Sequence, residues 1–309
     1  MKICVIGVGG VGGYFGGRLA AAGNTVMFIA RGDTLDVLQR TGLRVDSPLG
    51  NIGLSKVEVS EKPHEVGEVD AVVLGVKAWQ VPEVAKSLSP LIGDKTVVLP
   101  LQNGVEAASQ LVEELGEDHV LGGMCRIVSF VVEPGHIRHQ GVEPFVAFGE
   151  LDNHQSERVE RLAEVFSNSG IDTKIAPDIL SSIWQKLLFI APVSGLGAVT
   201  RVPVGEMRSN AEVYAMLREA MEEVRAVAVG RGVALADDAV EKTVAFFDGL
   251  PDAMTSSMQR DIMDGKPSEL DALNGAVVRF ANEIGVATPV HRFIYAVLAP
   301  SEARARKTG

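Results

Sequence analysis

The stretch that decides the fold is KICVI at residues 2–6, followed at once by Gly7-Val8-Gly9-Gly10-Val11-Gly12. The apolar run predicts a buried strand, and residues 13–22 predict a helix that ends at Gly23. In a G-x-G-x-x-G turn, the first glycine permits the tight bend, the second lets a pyrophosphate approach the backbone, and the third lets helix and strand pack closely. The sequence therefore predicts a dinucleotide site, the alternative being a glycine-rich turn that binds nothing.

Outward from this turn, short apolar runs alternate with helical patterns. Such alternation predicts βαβ units and a mostly parallel sheet. Residues 127–149 differ, because glycines lie among Val, Ile and Phe, and this pattern favours antiparallel edge strands. Strands are predicted at 25–30, 71–76, 96–100 and, broken, at 120–131, with helices at 81–91 and 107–115.

Beyond about residue 155 the pattern becomes helical, with apolar residues recurring every three or four positions in 156–168, 210–229 and 269–284. The sequence therefore predicts an α/β protein. A Rossmann-type dinucleotide-binding domain is expected over residues 1–175, followed by an all-helical domain over residues 176–309. The basic tail at 303–309 is expected to be frayed.

Composition argues against several classes of function. The 309 residues carry 29 Lys and Arg against 40 Asp and Glu, a net charge of −11, so no nucleic-acid partner is expected. Cys4 and Cys125 cannot form a disulfide framework and are expected to be small buried side chains. No signal-peptide pattern and no uncharged apolar run of about 18 residues is present, so we expect a cytoplasmic protein with no membrane partner.

Arg31 follows the second predicted strand, where NAD sites usually carry an acidic residue for the ribose 2′-hydroxyl. A guanidinium can instead bind a 2′-phosphate through two hydrogen bonds. The cofactor predicted from this residue is NADP(H). The alternative is a solvated arginine at the start of a loop.

Several motifs together resemble one family over essentially the whole chain. They are Gly7–Gly12 with Arg31, VKAWQ at 76–80, QNGV at 102–105, WQKL at 184–187, SSM at 256–258 and SELD at 268–271. The chain resembles the 2-dehydropantoate 2-reductases, also called ketopantoate reductases. The resemblance implies a Rossmann domain followed by a helical domain, with the active site in the cleft between them. It implies NADPH-dependent reduction of 2-dehydropantoate to (R)-pantoate, in the biosynthesis of pantothenate and coenzyme A.

Lys77 and Asn103 each follow a predicted strand, at the carboxyl edge where open α/β sheets bind ligands. The resemblance assigns both residues to the cofactor, and Asn103 to the substrate as well. The amide of Asn103 offers a donor and an acceptor for such contacts. From the residues alone, Lys77 could be a surface lysine and Asn103 an Asn-Gly turn residue.

Lys186 lies in a largely apolar helix, and burying an unpaired charge there would be costly. The residues alone favour a lysine whose stem is buried and whose ammonium reaches water. The resemblance assigns Lys186 as the catalytic general acid and a substrate contact. An ammonium at this place would stabilise the charge that develops on the ketone oxygen and then deliver a proton.

Glu269 opens a predicted helix, where an acidic residue can simply complement the helix dipole. The resemblance places it in the active site. A carboxylate near Lys186 would favour the ammonium form and fix its direction. Ser257 matches a serine that binds the substrate carboxylate, the alternative being a helix cap.

Three positions depart from the family pattern. Family asparagines commonly follow the catalytic lysine by four and eight positions, where this chain has Ile190 and Ser194. A later asparagine aligns with Val204. Ser194 is retained as a predicted substrate contact, but ketopantoate becomes less certain as the substrate. Another branched 2-keto acid is one alternative, and a non-catalytic NADP(H) sensor is a second.

The six histidines show no spacing typical of a metal site, and no metal is expected. His136 and His139 are three apart in a predicted strand, so they would face opposite sides. The remaining expected partners are a small 2-keto acid and, through apolar helix faces, a second copy of the chain in a homodimer.

Overall fold

The computed structural model describes residues 1–308, and these divide into two compact units. The first comprises Met1–Gln102 and Ala107–Ile179. The second comprises Asn103–Glu106 and the chain from Leu180 onward. The change at Ile179 lies four residues beyond the predicted boundary at 175, and the short segment 103–106 belongs to the second unit although the first surrounds it in sequence.

The first unit contains three sheets and five α-helices. Its strands are β1 (Lys2–Ile6), β2 (Thr25–Ile29), β3 (Leu43–Asp46), β4 (Ile52–Leu54), β5 (Glu58–Ser60), β6 (Ala71–Leu74), β7 (Val97–Pro100), β8 (Leu121–Arg126), β9 (Ser129–Glu133), β10 (His136–His139), β11 (Phe145–Glu150) and β12 (Asp172–Ile175). Its helices are α1 (Gly10–Ala21), α2 (Gly32–Thr41), α3 (Val81–Ala85), α4 (Ala107–Leu115) and α5 (Glu157–Asn168).

The main sheet is parallel, with the strand order β5-β2-β1-β6-β7. All four residues of β6 and of β7 are buried, as expected for parallel strands covered on both faces. The chain runs outward from β1 to β5 on one side and returns to β6 on the other. Strand order therefore reverses between β1 and β6, and ligands of such sheets bind at the carboxyl ends of the strands at this point.

The predicted antiparallel strands in residues 127–149 are present, but they do not border the parallel sheet. β9 and β10 pair with β3 and β4 in a second sheet, and β11 pairs with β8 and β12 in a third. The second sheet packs on α1, which contacts β3, β4, β9 and β10. Two glycines on α1 allow this close approach, since a Cβ on Gly13 would meet Ile137 of β10 at 2.7 Å and one on Gly17 would meet Val45 of β3 at 3.1 Å.

The second unit is helical, as predicted. It contains α6 (Ile179–Thr200), α7 (Val204–Ser209), α8 (Ala211–Gly230), α9 (Ala239–Asp248), α10 (Ser257–Met263), a π-helical turn (Asp271–Gly275), α11 (Ala276–Ile284) and α12 (Pro289–Thr308).

Helix α6 is the one helix within residues 1–308 that is long and apolar enough to cross a membrane. However, 61% of the most apolar 18-residue stretch of α6 is buried inside the protein. Trp184, Leu187 and Leu188 pack in the core of the second unit. The apolar character of α6 is therefore explained by its place in that core.

The prediction of a frayed tail at 303–309 is wrong for the residues described. Helix α12 continues to Thr308, and Ala305 is buried. Arg306 Nε lies 2.7 Å from Glu302 Oε1, one helical turn away. The basic composition of this segment predicted a solvated tail, whereas the segment forms a helix that packs through one face. Gly309 lies outside the described residues.

Candidate functional site

The glycine-rich turn joins β1 to α1 as the fingerprint predicts. Gly7 has a φ of +88°, and a Cβ on Gly12 would lie 2.0 Å from the Gly7 carbonyl oxygen. A Cβ on Gly9, by contrast, would meet no atom of the described residues within 4 Å. No side chain caps the N-terminus of α1 at Gly9. The turn therefore leaves open space and uncapped N–H groups at a helix N-terminus, an arrangement that fits a pyrophosphate between Gly7 and Gly12 with Val8, Gly10 and Val11 supplying backbone.

Arg31 lies at the carboxyl end of β2, as the N-cap residue of α2. Its side chain is exposed and makes no hydrogen bond or ion pair with any described residue. No hydrogen bond or ion pair to the described residues therefore gives the Arg31 guanidinium a structural role. Its position at the edge of the sheet agrees with the predicted contact to a 2′-phosphate, which stays a prediction.

Lys77 follows β6 directly and begins a short 3₁₀ turn, where its N–H donates to Gln80 Oε1 at 3.0 Å. The Lys77 ammonium lies 5.7 Å from the centre of the Trp79 ring, within range of a cation–π interaction. The half-buried Lys77 side chain is thus positioned at the switch point of the sheet.

Gln102 belongs to the QNGV motif at 102–105, but no role for it follows from the sequence. Its buried Nε2 donates to the carbonyls of Leu74 and Val76 at 3.0 and 3.1 Å. These bonds fix the chain where it leaves β6 toward Lys77. Gln102 Oε1 is buried without a hydrogen-bond partner among the described residues.

Asn103 and Glu269 are brought together in the second unit. Asn103 Nδ2 donates to Glu269 Oε2 at 2.8 Å, across 166 positions of sequence. Asn103 is half-buried, and Glu269 is only 5% exposed. A buried carboxylate is costly unless hydrogen-bonded, so this contact fixes one oxygen of Glu269. The expectation that Asn103 only forms an Asn-Gly turn does not account for this bond.

The π-helical turn directly after Glu269 is held from several sides. Arg279 donates to Asp271 Oδ1 at 2.8 Å and to Glu106 Oε2 at 2.7 Å, which ties segment 103–106 to this turn. Burial alone would lower the pKa of Arg279, but Glu106 and Asp271 outweigh it and the pKa is raised. Burial, then the hydrogen bond to Asp271, raises the pKa of Tyr295. The π turn, a feature found often at functional sites, is thus rigidly supported.

Lys186 lies on α6 with Ile190 one turn later and Ser194 two turns later, so the three share a face. Lys186 and Ile190 are half-buried, whereas Ser194 is fully buried and its hydroxyl has no hydrogen-bond partner among the described residues. The roles of Lys186 as acid and of Ser194 as substrate contact stay predictions.

Ser257 is the first residue of α10, but it is not the helix cap. The cap is Ser256, whose hydroxyl accepts from Gln259 N at 3.0 Å. The half-buried hydroxyl of Ser257 makes no hydrogen bond to a described residue. The capping alternative for Ser257 is therefore wrong, and its contact with a substrate carboxylate stays a prediction. Val204 is 1% exposed and packs in the core.

One polar cluster beside Glu269 was not predicted. Ser268 and Glu302 are both buried, and they bond to each other and to Arg306. In the sequence, this cluster is indicated only by a serine before Glu269 and by a glutamate directly before the tail that was predicted to be frayed.

Two further observations concern metal binding and the reactivity of a cysteine. Within residues 1–308 no group of three or more His, Cys, Asp and Glu side chains could hold a metal ion. Burial raises the pKa of the Cys4 thiol to about 12, so this cysteine is not a thiolate nucleophile near neutral pH.

A parallel sheet with a glycine-rich turn at its switch point, together with a helical unit that holds a buried carboxylate, defines a dinucleotide-dependent oxidoreductase. Residues 3–153 match the family model of "Ketopantoate reductase PanE/ApbA", and residues 178–302 match "Ketopantoate reductase PanE/ApbA C terminal". The chain belongs to the ketopantoate reductase PanE/ApbA family. The predicted family, fold class and oxidoreductase class are confirmed at this level. The fold and the family agree with a dinucleotide cofactor, and the choice of NADP(H) over NAD(H) rests on Arg31 and stays a prediction.

Similar proteins share this length and fold. "Uncharacterized oxidoreductase YkpB" of Bacillus subtilis is 32% identical over 98% of this chain and 99% of its own length. A 2-dehydropantoate 2-reductase of Mesorhizobium japonicum is 31% identical over 97% of this chain and 96% of its own. The crystal structure of a PanE/ApbA family ketopantoate reductase from Ralstonia eutropha JMP134 superposes with a TM-score of 0.90, at 31% identity over 99% of this chain and all of that one.

Proposed function

We propose that this enzyme reduces 2-dehydropantoate to (R)-pantoate with NADPH, a step of pantothenate and coenzyme A biosynthesis. The observation that carries the proposal is the buried Glu269 carboxylate held by Asn103 at 2.8 Å, in a unit whose most apolar helix presents a half-buried Lys186. A relative of 31% identity is a 2-dehydropantoate 2-reductase, which supports this choice of substrate. A cytoplasmic location and a homodimer are part of the proposal.

All but one of the proposed nucleotide-binding groups belong to the first unit, the exception being Asn103. In the proposal, backbone N–H groups at Gly7–Gly12 bind the pyrophosphate, Arg31 binds the 2′-phosphate, and Lys77 and Asn103 contact the remainder of the cofactor. When bound, NADPH supplies the hydride for the carbonyl carbon of the keto acid.

The acid–base groups belong to the second unit. Lys186 holds its proton toward the ketone oxygen, stabilises the negative charge there as the hydride arrives, and then gives up the proton to form the alcohol. Glu269 favours the ammonium form of Lys186 and directs it. Asn103 holds Glu269 and contacts the substrate, while Ser257 and Ser194 bind substrate oxygens.

The test is steady-state NADPH oxidation with a panel of 2-keto acids. We expect turnover with 2-dehydropantoate. A protein that binds NADPH tightly but oxidises it with no 2-keto acid would instead be a sensor, and the proposal would be rejected.

A second candidate function is supported by Ile190, a half-buried apolar side chain where the family commonly has an asparagine. Val204 departs from the family pattern in the same way, but it is packed in the core. It is reduction of another branched 2-keto acid by the same residues. A larger kcat/KM for such an acid than for 2-dehydropantoate would favour this candidate.

Cofactor preference should depend on Arg31. NADPH is expected to be preferred over NADH, and Arg31→Ala should reduce that preference by about 10- to 100-fold, since a hydrogen bond to a charged group contributes roughly 1.5–3 kcal/mol. The measurement is kcat/KM for each cofactor. Arg40→Ala, which removes an exposed arginine of the same helix α2, is the matched control and should leave the preference unchanged. Equal use of the two cofactors by the unmodified enzyme would contradict the role of Arg31.

Substrate selectivity should depend on Ile190. A pocket that lacks polar partners for the substrate hydroxyl discriminates weakly, because large penalties arise only when buried polar groups are left unpaired. We expect 2-dehydropantoate to be preferred only modestly over 2-ketoisovalerate, which lacks the hydroxymethyl group that carries the hydroxyl, and Ile190→Asn to widen the preference. The measurement is the ratio of kcat/KM values for the two acids.

The control for Ile190 is Val199→Asn, the same kind of change at another half-buried position of α6. Position 199 lies about two and a half turns further along, on the opposite side of the helix. It should not change the ratio. A strong preference for 2-dehydropantoate in the unmodified enzyme would show that another group, such as Ser194, supplies the missing contact.

A further inference from the structure

The polar groups of Ser268 are all bound by side chains of the C-terminal helix α12. The N–H of Ser268 donates to both carboxylate oxygens of Glu302 at 3.1 Å, and its hydroxyl donates to Glu302 Oε2 at 2.5 Å. Arg306 Nη2 donates to the Ser268 carbonyl at 3.0 Å, and its Nε bonds Glu302 Oε1. Two residues of one helix therefore fix a single residue that lies more than 30 positions earlier in sequence.

Ser268 and Glu302, the centre of this cluster, are buried, which makes their geometry specific. Ser268 is 0% exposed and Glu302 is 7% exposed. An apolar replacement for Glu302 would leave the buried N–H and the hydroxyl proton of Ser268 without an acceptor, although the hydroxyl oxygen still accepts from Leu270 N at 3.3 Å. Such a loss is costly. Arg306 compensates the charge that Glu302 carries into the interior. The cluster thus determines where the backbone of residue 268 lies.

Because Glu269 is the next residue along the chain, the contacts that hold Ser268 also position the backbone of Glu269. On its other side, the Glu269 carbonyl accepts from Leu273 N at 3.0 Å at the entrance to the π turn. Its carboxylate accepts from Asn103. The backbone is therefore fixed immediately before and after Glu269, and the side chain is fixed at its tip.

We propose that Glu302 is a positioning residue for Glu269: with Arg306 it clamps Ser268 from α12 and so holds the Glu269 carboxylate in its working orientation. The inference rests on the proposed function, in which Glu269 directs Lys186. Glu302 itself contacts no reacting group and acts only through Ser268 and Glu269.

Glu302→Gln keeps the shape of the side chain but presents one acceptor oxygen in place of two. We expect kcat to fall about 10-fold or more, because the amide nitrogen would face either the Ser268 donors or Arg306. The alkaline limb of the pH–rate profile should move to lower pH, as it should for Glu269→Gln. Ser268→Ala, which removes only the hydroxyl, should give the same changes in smaller measure and serves if Glu302→Gln does not fold.

The matched control is Glu223→Gln. Glu223 is also buried and also binds α12, because it accepts from Val290 N and His291 N at 2.8 and 3.0 Å, at the other end of that helix. Its loss should lower the melting temperature while kcat and the pH profile stay within about twofold of the original. A role of Glu302 in stability alone would make the two variants behave alike, and the inference would be overturned.

A double-mutant cycle gives the decisive kinetic readout. In a Glu269→Gln background, Glu302→Gln should change kcat by less than about twofold, because the group that it positions is already gone. Losses that multiply would overturn the inference. If Glu269→Gln alone keeps full turnover, the role of Glu269 and this inference are both wrong.

A crystal structure of Glu302→Gln separates the inference from the proposed function, since it needs no activity. The Asn103–Glu269 hydrogen bond should be lengthened or broken in that variant and intact in Glu223→Gln. Retention of the bond at its original length in Glu302→Gln would overturn the inference, whatever substrate the enzyme reduces.

Discussion

Replacing Lys186 with alanine is expected to lower kcat by on the order of 10²–10⁴, the usual contribution of a positioned general acid. The reduced ketone would then have to take its proton from water, and no ammonium would stabilise the developing negative charge. NADPH affinity, measured by fluorescence titration, should change little, because the nucleotide-binding turn lies in the other unit. Lys186→Arg should remain strongly impaired, since a guanidinium keeps the charge but does not give up its proton.

Lys242→Ala is the control for this change. Lys242 is an exposed lysine of α9 that pairs with Asp238, also in the second unit. Its removal should leave kcat within about twofold of the original. Near-normal kcat in Lys186→Ala would remove Lys186 from the mechanism and return it to a lysine that only reaches from the apolar helix to water.

Replacing Glu269 with glutamine is expected to lower kcat by on the order of 10². The general acid Lys186 would then lose the neighbour that directs its ammonium group and favours the charged form. The pH profile of kcat/KM should change as well. A neighbouring carboxylate makes an ammonium harder to deprotonate, so its removal should move the loss of activity on the alkaline side to lower pH. The measurement is kcat/KM from about pH 6 to 10 for Glu269→Gln and the unmodified enzyme.

Glu222→Gln is the control for Glu269, because Glu222 is an exposed carboxylate of α8. That change should move neither kcat nor the alkaline limb. An unchanged pH profile in Glu269→Gln would support the simpler view that Glu269 only complements the dipole of the helix that follows it.

The elements that could be predicted from sequence are those whose signal is local. The strand, turn and helix of residues 2–22 are encoded by adjacent residues, and the helices of the second unit by apolar residues at steps of three and four. The second and third sheets could not be predicted in this way. β10 pairs with β3 across about ninety residues, and no local pattern records that pairing.

The candidate site, too, could be predicted only where the signal is local in sequence. The motifs pointed to Lys186, Glu269 and Asn103, but the bond between Asn103 and Glu269 joins residues far apart in sequence. Glu302 and Arg306 were missed for a different reason. Arg306 lies in a basic segment that suggested a solvated tail, and Glu302 directly precedes it. Arg306 and the N–H of Ser268 allow the Glu302 carboxylate to be buried, while the Arg306 side chain stays partly exposed.

The second unit is formed by two separate segments of the sequence, and this limits how it can be exchanged between family members. A fragment that begins at residue 180 omits Asn103–Glu106, and with it the amide donor of Glu269 and the carboxylate partner of Arg279. Recombination between family members that swaps the chain only from residue 180 onward would bring together a four-residue insert from one parent and a carboxylate from the other. Chimeras should therefore keep their activity when the two segments are inherited together, and designed libraries should treat 103–106 and 180–309 as one cassette.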